Sequence, residues 1–161
     1  MSSTVVFAAT STQLSITALV SNIQAIESIQ NATVLDDLGN ISYQDIEIGK
    51  IVLNSNHSEG FKLSIDSQNN GVIRRIGASE GQQDEEIAYT LSLADSGGDL
   101  GNQIAEPALS DLSPEGTELA FNGNQAAPTV QKEYSLNVST AVKGLKQGSY
   151  SDTLTISISN I

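Results

Sequence analysis

Cysteine and tryptophan are both absent from the 161 residues, and basic residues number only 7 against 19 acidic ones. Without cysteine there are no disulfides, no thiolate metal site and no thiol nucleophile. The charge imbalance gives a formal net charge of -12 and a pI near 4.1. Such a surface repels phosphate backbones and anionic lipid heads, so neither nucleic acid nor a membrane surface is an expected partner. No apolar run approaches the roughly 18 residues a spanning helix needs, so no membrane insertion is expected. Five lysines and two arginines are all the chain has, none before Lys50, and Ser, Thr, Asn and Gln cover the surface in their place, as is common in secreted β-proteins. The stretch VVFAA (Val5 to Ala9) is too short for a signal-peptide core and lacks a basic region before it. Val6-Phe7-Ala8 resembles a cleavage tripeptide, but the segment reads first as β-strand.

What is present is alternation. At 161 residues the chain is long enough for one domain that buries roughly 70% of its unfolded surface. From Val6 to Val20 the even positions are Val6, Ala8, Thr10, Thr12, Leu14, Ile16, Ala18 and Val20, one apolar-leaning face over about fifteen residues where strands usually have about six. Val5, Phe7 and Ala9 make the start of this segment apolar on both faces. A strand of that length suggests two tasks, an outer part for one partner and an inner part for the home sheet. Ser21 to Asn31 carries a capping-box pattern, yet its Ile and Thr content favours a bent strand. Ile46 and Ile48 alternate, and the phase slips at Gly49-Lys50 to Ile51 and Leu53, which predicts a bulge. Phe61, Leu63 and Ile65 follow an Asn-rich turn, and Val72, Ile73 and Ile76 follow the turn Asp66 to Gly71. Ile87, Tyr89, Leu91 and Leu93 define a further strand; Tyr134, Leu136, Val138 and Val142 define the penultimate one. The final fourteen residues, GSYSDTLTISISNI, place Tyr150, Leu154, Ile156 and Ile158 on one side, so the chain is expected to finish inside a strand. Strands recurring between Gly, Asn and Asp turns, with no long helix, predict an all-β, immunoglobulin-like antiparallel sandwich of Greek-key type. Asp95 to Gln131 is the least regular segment and holds all 3 prolines. It is either a functional surface or a crossover packing Leu109, Leu112, Leu119 and Phe121 over one end of the core.

Chemistry has few places to reside. His57 is the only imidazole, lies in a polar turn, and has no G-x-S-x-G elbow to serve. Asp36, Asp37, Asp45, Glu47, Asp84, Glu85 and Glu86 could in principle supply a glycosidase carboxylate pair. With aromatics at 4%, they read as solvated loops lacking the platforms of a sugar-processing cleft. Asp95 and Asp99, in DSGGDLGN, offer hard oxygen ligands as a weak calcium candidate, without the complete EF-hand pattern. The triplets at Asn31, Asn40, Asn56 and Asn137 match glycosylation acceptors by composition alone. No cofactor is expected and no P-loop or dinucleotide fingerprint occurs; the chain does not read as an enzyme.

The two ends carry a resemblance. GSYSDTLTISI (Gly148 to Ile158) is similar to the closing strand of spore-coat-protein-U-like domains and of archaic chaperone-usher pilins. ATSTQLSITALV (Ala9 to Val20) is similar to their mature N-terminal strand, and IGKIVLNSNHSEGFKLSIDSQNNGVI (Ile48 to Ile73) resembles exported bacterial sandwich proteins. Together these stretches cover about half of the chain. The family's usual cysteines are absent, and the segment from Asp95 to Gln131 has no assigned counterpart. The resemblance implies a sandwich completed by a neighbour's N-terminal strand through β-augmentation. Residues 1–12 would form the N-terminal extension and 13–161 the sandwich domain. Val5, Val6, Phe7 and Ala8 would be the donor residues, and Tyr150, Leu154, Ile156 and Ile158 the acceptor-groove strand. The implied function is a structural subunit of an extracellular pilus or matrix fibre, a head-to-tail homopolymer on the cell surface serving adhesion and biofilm. Two alternatives stand: an ordinary complete sandwich, and a secreted carbohydrate-binding or adhesin module using the 95–131 loop, with host or surface glycans as partners.

Overall fold

The computed structural model describes residues 24–30, 35, 37–56, 59–99, 104–123 and 130–161. Alternating apolar and polar side chains form strands because the pleat sends successive residues to opposite faces, of which only one can be buried here. The ten strands are β1 (Gln24–Gln30), β2 (Tyr43–Ser55), β3 (Gly60–Ser67), β4 (Val72–Arg75), β5 (Glu86–Asp99), β6 (Ile104–Ala105), β7 (Glu115–Gly123), β8 (Val130–Thr140), β9 (Tyr150–Ser151) and β10 (Leu154–Asn160). No helix occurs among the described residues. The strands form a six-stranded sheet in the order β1-β2-β8-β5-β4-β9 and a four-stranded sheet in the order β10-β3-β7-β6. All pairings between these strands are antiparallel. The chain changes sheet between β2 and β3, β3 and β4, β5 and β6, β7 and β8, and β9 and β10, which makes the antiparallel sandwich expected from the turn spacing.

The core lies between the sheets. Ile51 and Leu53 of β2, Tyr89, Leu91 and Leu93 of β5, and Tyr134, Leu136 and Val138 of β8 meet Phe61, Leu63 and Ile65 of β3 and Leu119 and Phe121 of β7. Phe61 stacks on Phe121 at 4.7 Å between centroids, and Phe121 tilts against Tyr134 at 6.1 Å. The phase slip at Gly49 is a bulge: Glu47 pairs with Asn137 and Gly49 with Leu136, so Ile48 is the extra residue. Gly60 begins β3 at φ +98°, where an added Cβ would sit 1.9 Å from the Phe121 carbonyl oxygen. Only glycine permits this close cross-strand approach.

Three expectations need correction. The terminal strand is not continuous: Tyr150 and Ser151 pair with β4 in the six-stranded sheet, and Leu154 to Asn160 pair with β3 in the other. Tyr150 therefore does not share a strand with Leu154, Ile156 and Ile158. The region from Asp95 to Gln131 is more regular than expected, containing the end of β5, β6, all of β7 and the start of β8, while its expected packing holds, with Leu112, Leu119 and Phe121 buried and Leu109 half-buried. Its regularity was masked by Glu115, Gly116 and Glu118 on the outward face. Val142 lies beyond the end of β8 and is 61% exposed. By contrast Ser21 to Asn31 does contain a strand, β1, antiparallel to β2.

Candidate functional site

The apolar packing thins toward β10. On β3 the inward side chains Phe61, Leu63 and Ile65 are fully buried, whereas Leu154, Ile156 and Ile158 on the adjacent β10 are half-buried. Ile48 and Ile73 on the opposite sheet are likewise half-buried. Between them runs a groove of about 1010 Å³. Ile48, Ile51, Leu136 and Val138 line one side, Leu154 and Ile156 another, and the segments Asp37–Asn40 and Leu145–Thr153 border it. Among the described residues β10 pairs only with β3 and β1 only with β2, so each stands at the edge of its sheet.

The border is tied by hydrogen bonds where the C-terminal segment changes sheet. The Asp152 carboxylate accepts hydrogen bonds from Ser67 Oγ (2.5 Å), Tyr89 OH (2.5 Å), Asn69 N (3.1 Å) and Thr153 N (2.8 Å). Ser67 Oγ in turn accepts from Gly71 N at 2.8 Å, tying the β3–β4 turn to the same point. Burial, and then the bond to Asp152, push the Tyr89 hydroxyl above its ordinary range. On the other side of the border, Lys146 Nζ lies 2.9 Å from Asp84 and 3.2 Å from the buried Glu85, which also receives Arg75 Nη1 at 3.0 Å. The bond between Lys146 and Asp84 raises the lysine and lowers the acid relative to their ordinary values. Lys143 N donates to Gly39 O at 2.8 Å, and Ile76 N to Ser149 O at 2.8 Å, which join the two bordering segments to each other and to β4.

No protein-family model matches the chain. No curated protein matches it in sequence either.

The residues singled out in the sequence fall in different places. Val5, Val6, Phe7 and Ala8 lie outside the described residues, as do Asp36 and His57. Leu154 and Ile156 line the groove and Ile158 continues their face; Tyr150 lies on the border, its hydroxyl donating to Lys146 O at 2.6 Å. Asp95 sits within β5, its carboxylate paired with Lys132 Nζ and accepting from Gly97 N at 3.1 Å, and the lysine bond holds it below the usual carboxylate range. Asp99 closes β5. No group of three or more metal-ligating side chains occurs among the described residues. Asp84, Glu85 and Glu86 are engaged with Lys146, Arg75 and Arg74, so these carboxylates act as ties between strands and loop. Sequence reasoning missed Asp152. Its signal was there: an acidic residue between Ser151 and Thr153 interrupts the apolar phase of the terminal segment, and the strand breaks at that point.

Proposed function

We propose that this chain is a structural subunit of an extracellular fibre, polymerising head to tail by donation of an N-terminal strand. The observation that carries this reading is the groove beside β10, where inward apolar side chains that a complete sandwich would cover are only half-buried. The proposed occupant is the segment around Val5, Val6, Phe7 and Ala8 of a second copy. Residues 1–23 contain no Asp, Glu, Lys, Arg or His. Such a segment brings no charge of its own to be desolvated on entering the groove, which would otherwise be costly. Its long apolar-leaning face supplies side chains for the half-buried Ile48, Leu154 and Ile156, while its backbone adds to a sheet edge by β-augmentation. A head-to-tail contact of this kind joins different surfaces on the two partners and grows a fibre when the rotation does not close. The role is mechanical, with no catalytic group assigned, and its place is the cell surface.

The test compares the full chain with a form beginning at Thr10 by size-exclusion chromatography and negative-stain electron microscopy. Fibres from the full chain, absent from the shortened form and capped at short length by an added peptide of residues 4–20, are expected. Two monomers of equal thermal stability, neither changed by the peptide, would refute the reading.

A further inference from the structure

Of the four strands that end a sheet among the described residues, three are guarded. β6 and β9 have 2 residues each, and β1 carries Glu27. Short or charged edges are the usual protection against pairing with another chain. β10 has neither: its 7 residues, LTISISN, include no charge and no proline, and its register with β3 runs without a bulge. Its backbone is also open in a regular pattern. Ser67 N donates to Pro114 O, away from β10, whereas Gln68 N donates to Thr153 O, both at 2.9 Å. Antiparallel neighbours alternate in this way, so Thr155, Ser157 and Ser159 direct their N–H and C=O groups to β3. Leu154, Ile156 and Ile158 therefore present theirs to the free edge.

By chemical class this edge reads alike in both directions about Ile156. We propose that β10 pairs antiparallel with β10 of a second copy, across a two-fold axis at Ile156. Ile156 then exchanges both backbone bonds with the partner's Ile156, Leu154 with the partner's Ile158, and Ile158 with the partner's Leu154, so every open pair is matched. On the inward face the half-buried Leu and Ile side chains gain apolar neighbours, and on the outward face Thr155 meets the partner's Ser157, hydroxyl to hydroxyl. Slipping the register by one residue sets open backbone groups against occupied ones. Slipping it by two sets Asn160 against the partner's Leu154. Charge favours the same contact. A chain of net charge -12 repels its copies, but β10 brings no charge to the seam. The nearest charges in its sheet, Lys62 and Asp66, lie on β3, and the two copies of β3 would stand about 14 Å apart, beyond the roughly 8 Å screening length of physiological salt. A contact that joins the same patch on both copies closes as a dimer. It does not rest on the fibre reading. A strand donated beside β10 would claim the same edge, so pairing and donation exclude each other.

The absence of cysteine lets disulfide formation report the register. Thr155→Cys and Ser157→Cys replace exposed outward side chains and should leave the fold intact. The two full-length variants are oxidised separately and as a mixture, in fractions free of fibres by electron microscopy, and covalent dimer is read by non-reducing electrophoresis. The mixture is expected to crosslink readily, because positions 155 and 157 face each other in a non-hydrogen-bonded pair with Cα atoms about 4.5 Å apart. Each variant alone should crosslink more slowly by on the order of tenfold, since like positions lie about 8 Å apart, beyond disulfide reach. Sedimentation equilibrium gives a second reading. The mass of the parent chain in such fractions should rise with concentration toward twice 16.9 kDa. Ser157→Lys should weaken the dimer by on the order of tenfold, although it lowers the repulsion between copies. Asn122→Lys, at an exposed position on β7, makes the same charge change away from the edge and should dimerise as the parent does. No crosslink in the mixture, crosslinking of Ser157→Cys alone as fast as the mixture, or parent-like dimerisation by Ser157→Lys would overturn the assignment.

Discussion

A single carboxylate, Asp152, fixes the point at which the C-terminal segment leaves one sheet for the other. It holds four donors from three parts of the chain: Ser67 and Asn69, Tyr89, and its own neighbour Thr153. Replacing it with alanine leaves those donors unanswered in a half-buried place, and Asp152→Ala should cost about 2–3 kcal/mol by urea unfolding. Tyr89→Phe removes one donor of the four and should cost about 1 kcal/mol, with the double variant showing non-additivity as contacting partners do. The tyrosines also predict an alkaline limit. Tyr89 and Tyr134 are buried and hydrogen-bonded to the carboxylates of Asp152 and Glu106, so both hydroxyls hold their protons more tightly than the ordinary value of 10.0. In the unfolded chain they ionise near that value, and the unfolded state then binds fewer protons than the folded one. Their contribution is thus fully present below about pH 10 and declines as pH rises above it. Tyr89→Phe and Tyr134→Phe should each remove up to about 1.4 kcal/mol per pH unit from the alkaline slope. Identical slopes in the parent and both variants would show that other groups set the limit.

At the scale of the strand, the contrast between β3 and β10 is the measurable feature. Both alternate, both bring three apolar residues inward, and they are hydrogen-bonded neighbours. Leu63→Ala opens a cavity at a fully buried position and should cost about 3 kcal/mol, whereas Ile156→Ala at the half-buried edge should cost about 1–2 kcal/mol in the monomer. In an assembled fibre the second value should rise toward the first, because a donated strand would complete the cover. Gly60→Ala should be among the most damaging single changes, since a Cβ there meets the Phe121 carbonyl oxygen at a φ of +98°. Much at this scale was legible beforehand. Strict alternation announced β3 and the inward half of β5, and the slip at Gly49 announced the bulge. Two things were not legible for a physical reason. Glu115, Gly116 and Glu118 gave β7 an outward face polar enough to read as loop, although Leu119 and Phe121 kept the strand period. The terminal segment keeps its alternation from Tyr150 to Ile158 across the interruption at Asp152, so sequence periodicity alone could not show that it serves two sheets.

For the whole molecule the governing quantity is charge. The groove is lined by apolar side chains together with Asp37, Lys50, Lys146 and Asp152, and the segment proposed to enter it has no charged side chain. The composition showed that apolar segment, but the groove itself arises only when β2, β8 and β10, far apart in sequence, are brought together. The rest of the surface carries an excess of acid, a net charge of -12, so two copies approaching one another repel. The proposed assembly would set a short-range hydrophobic gain against a long-range repulsion, and salt would act almost wholly on the second. At 0.15 M salt the screening length is about 8 Å, and it is about 30 Å at 0.01 M, so copies feel one another well before contact only in dilute buffer. Fibre growth followed by light scattering should therefore accelerate as sodium chloride rises from about 0.01 M to 0.15 M, with little further change beyond. Growth driven by ion pairs between subunits would show the reverse, slowing over the same range. If the donor docks through the apolar side chains of the groove, dissociation of finished fibres should be nearly independent of salt, which separates the repulsion between copies from the affinity of the groove.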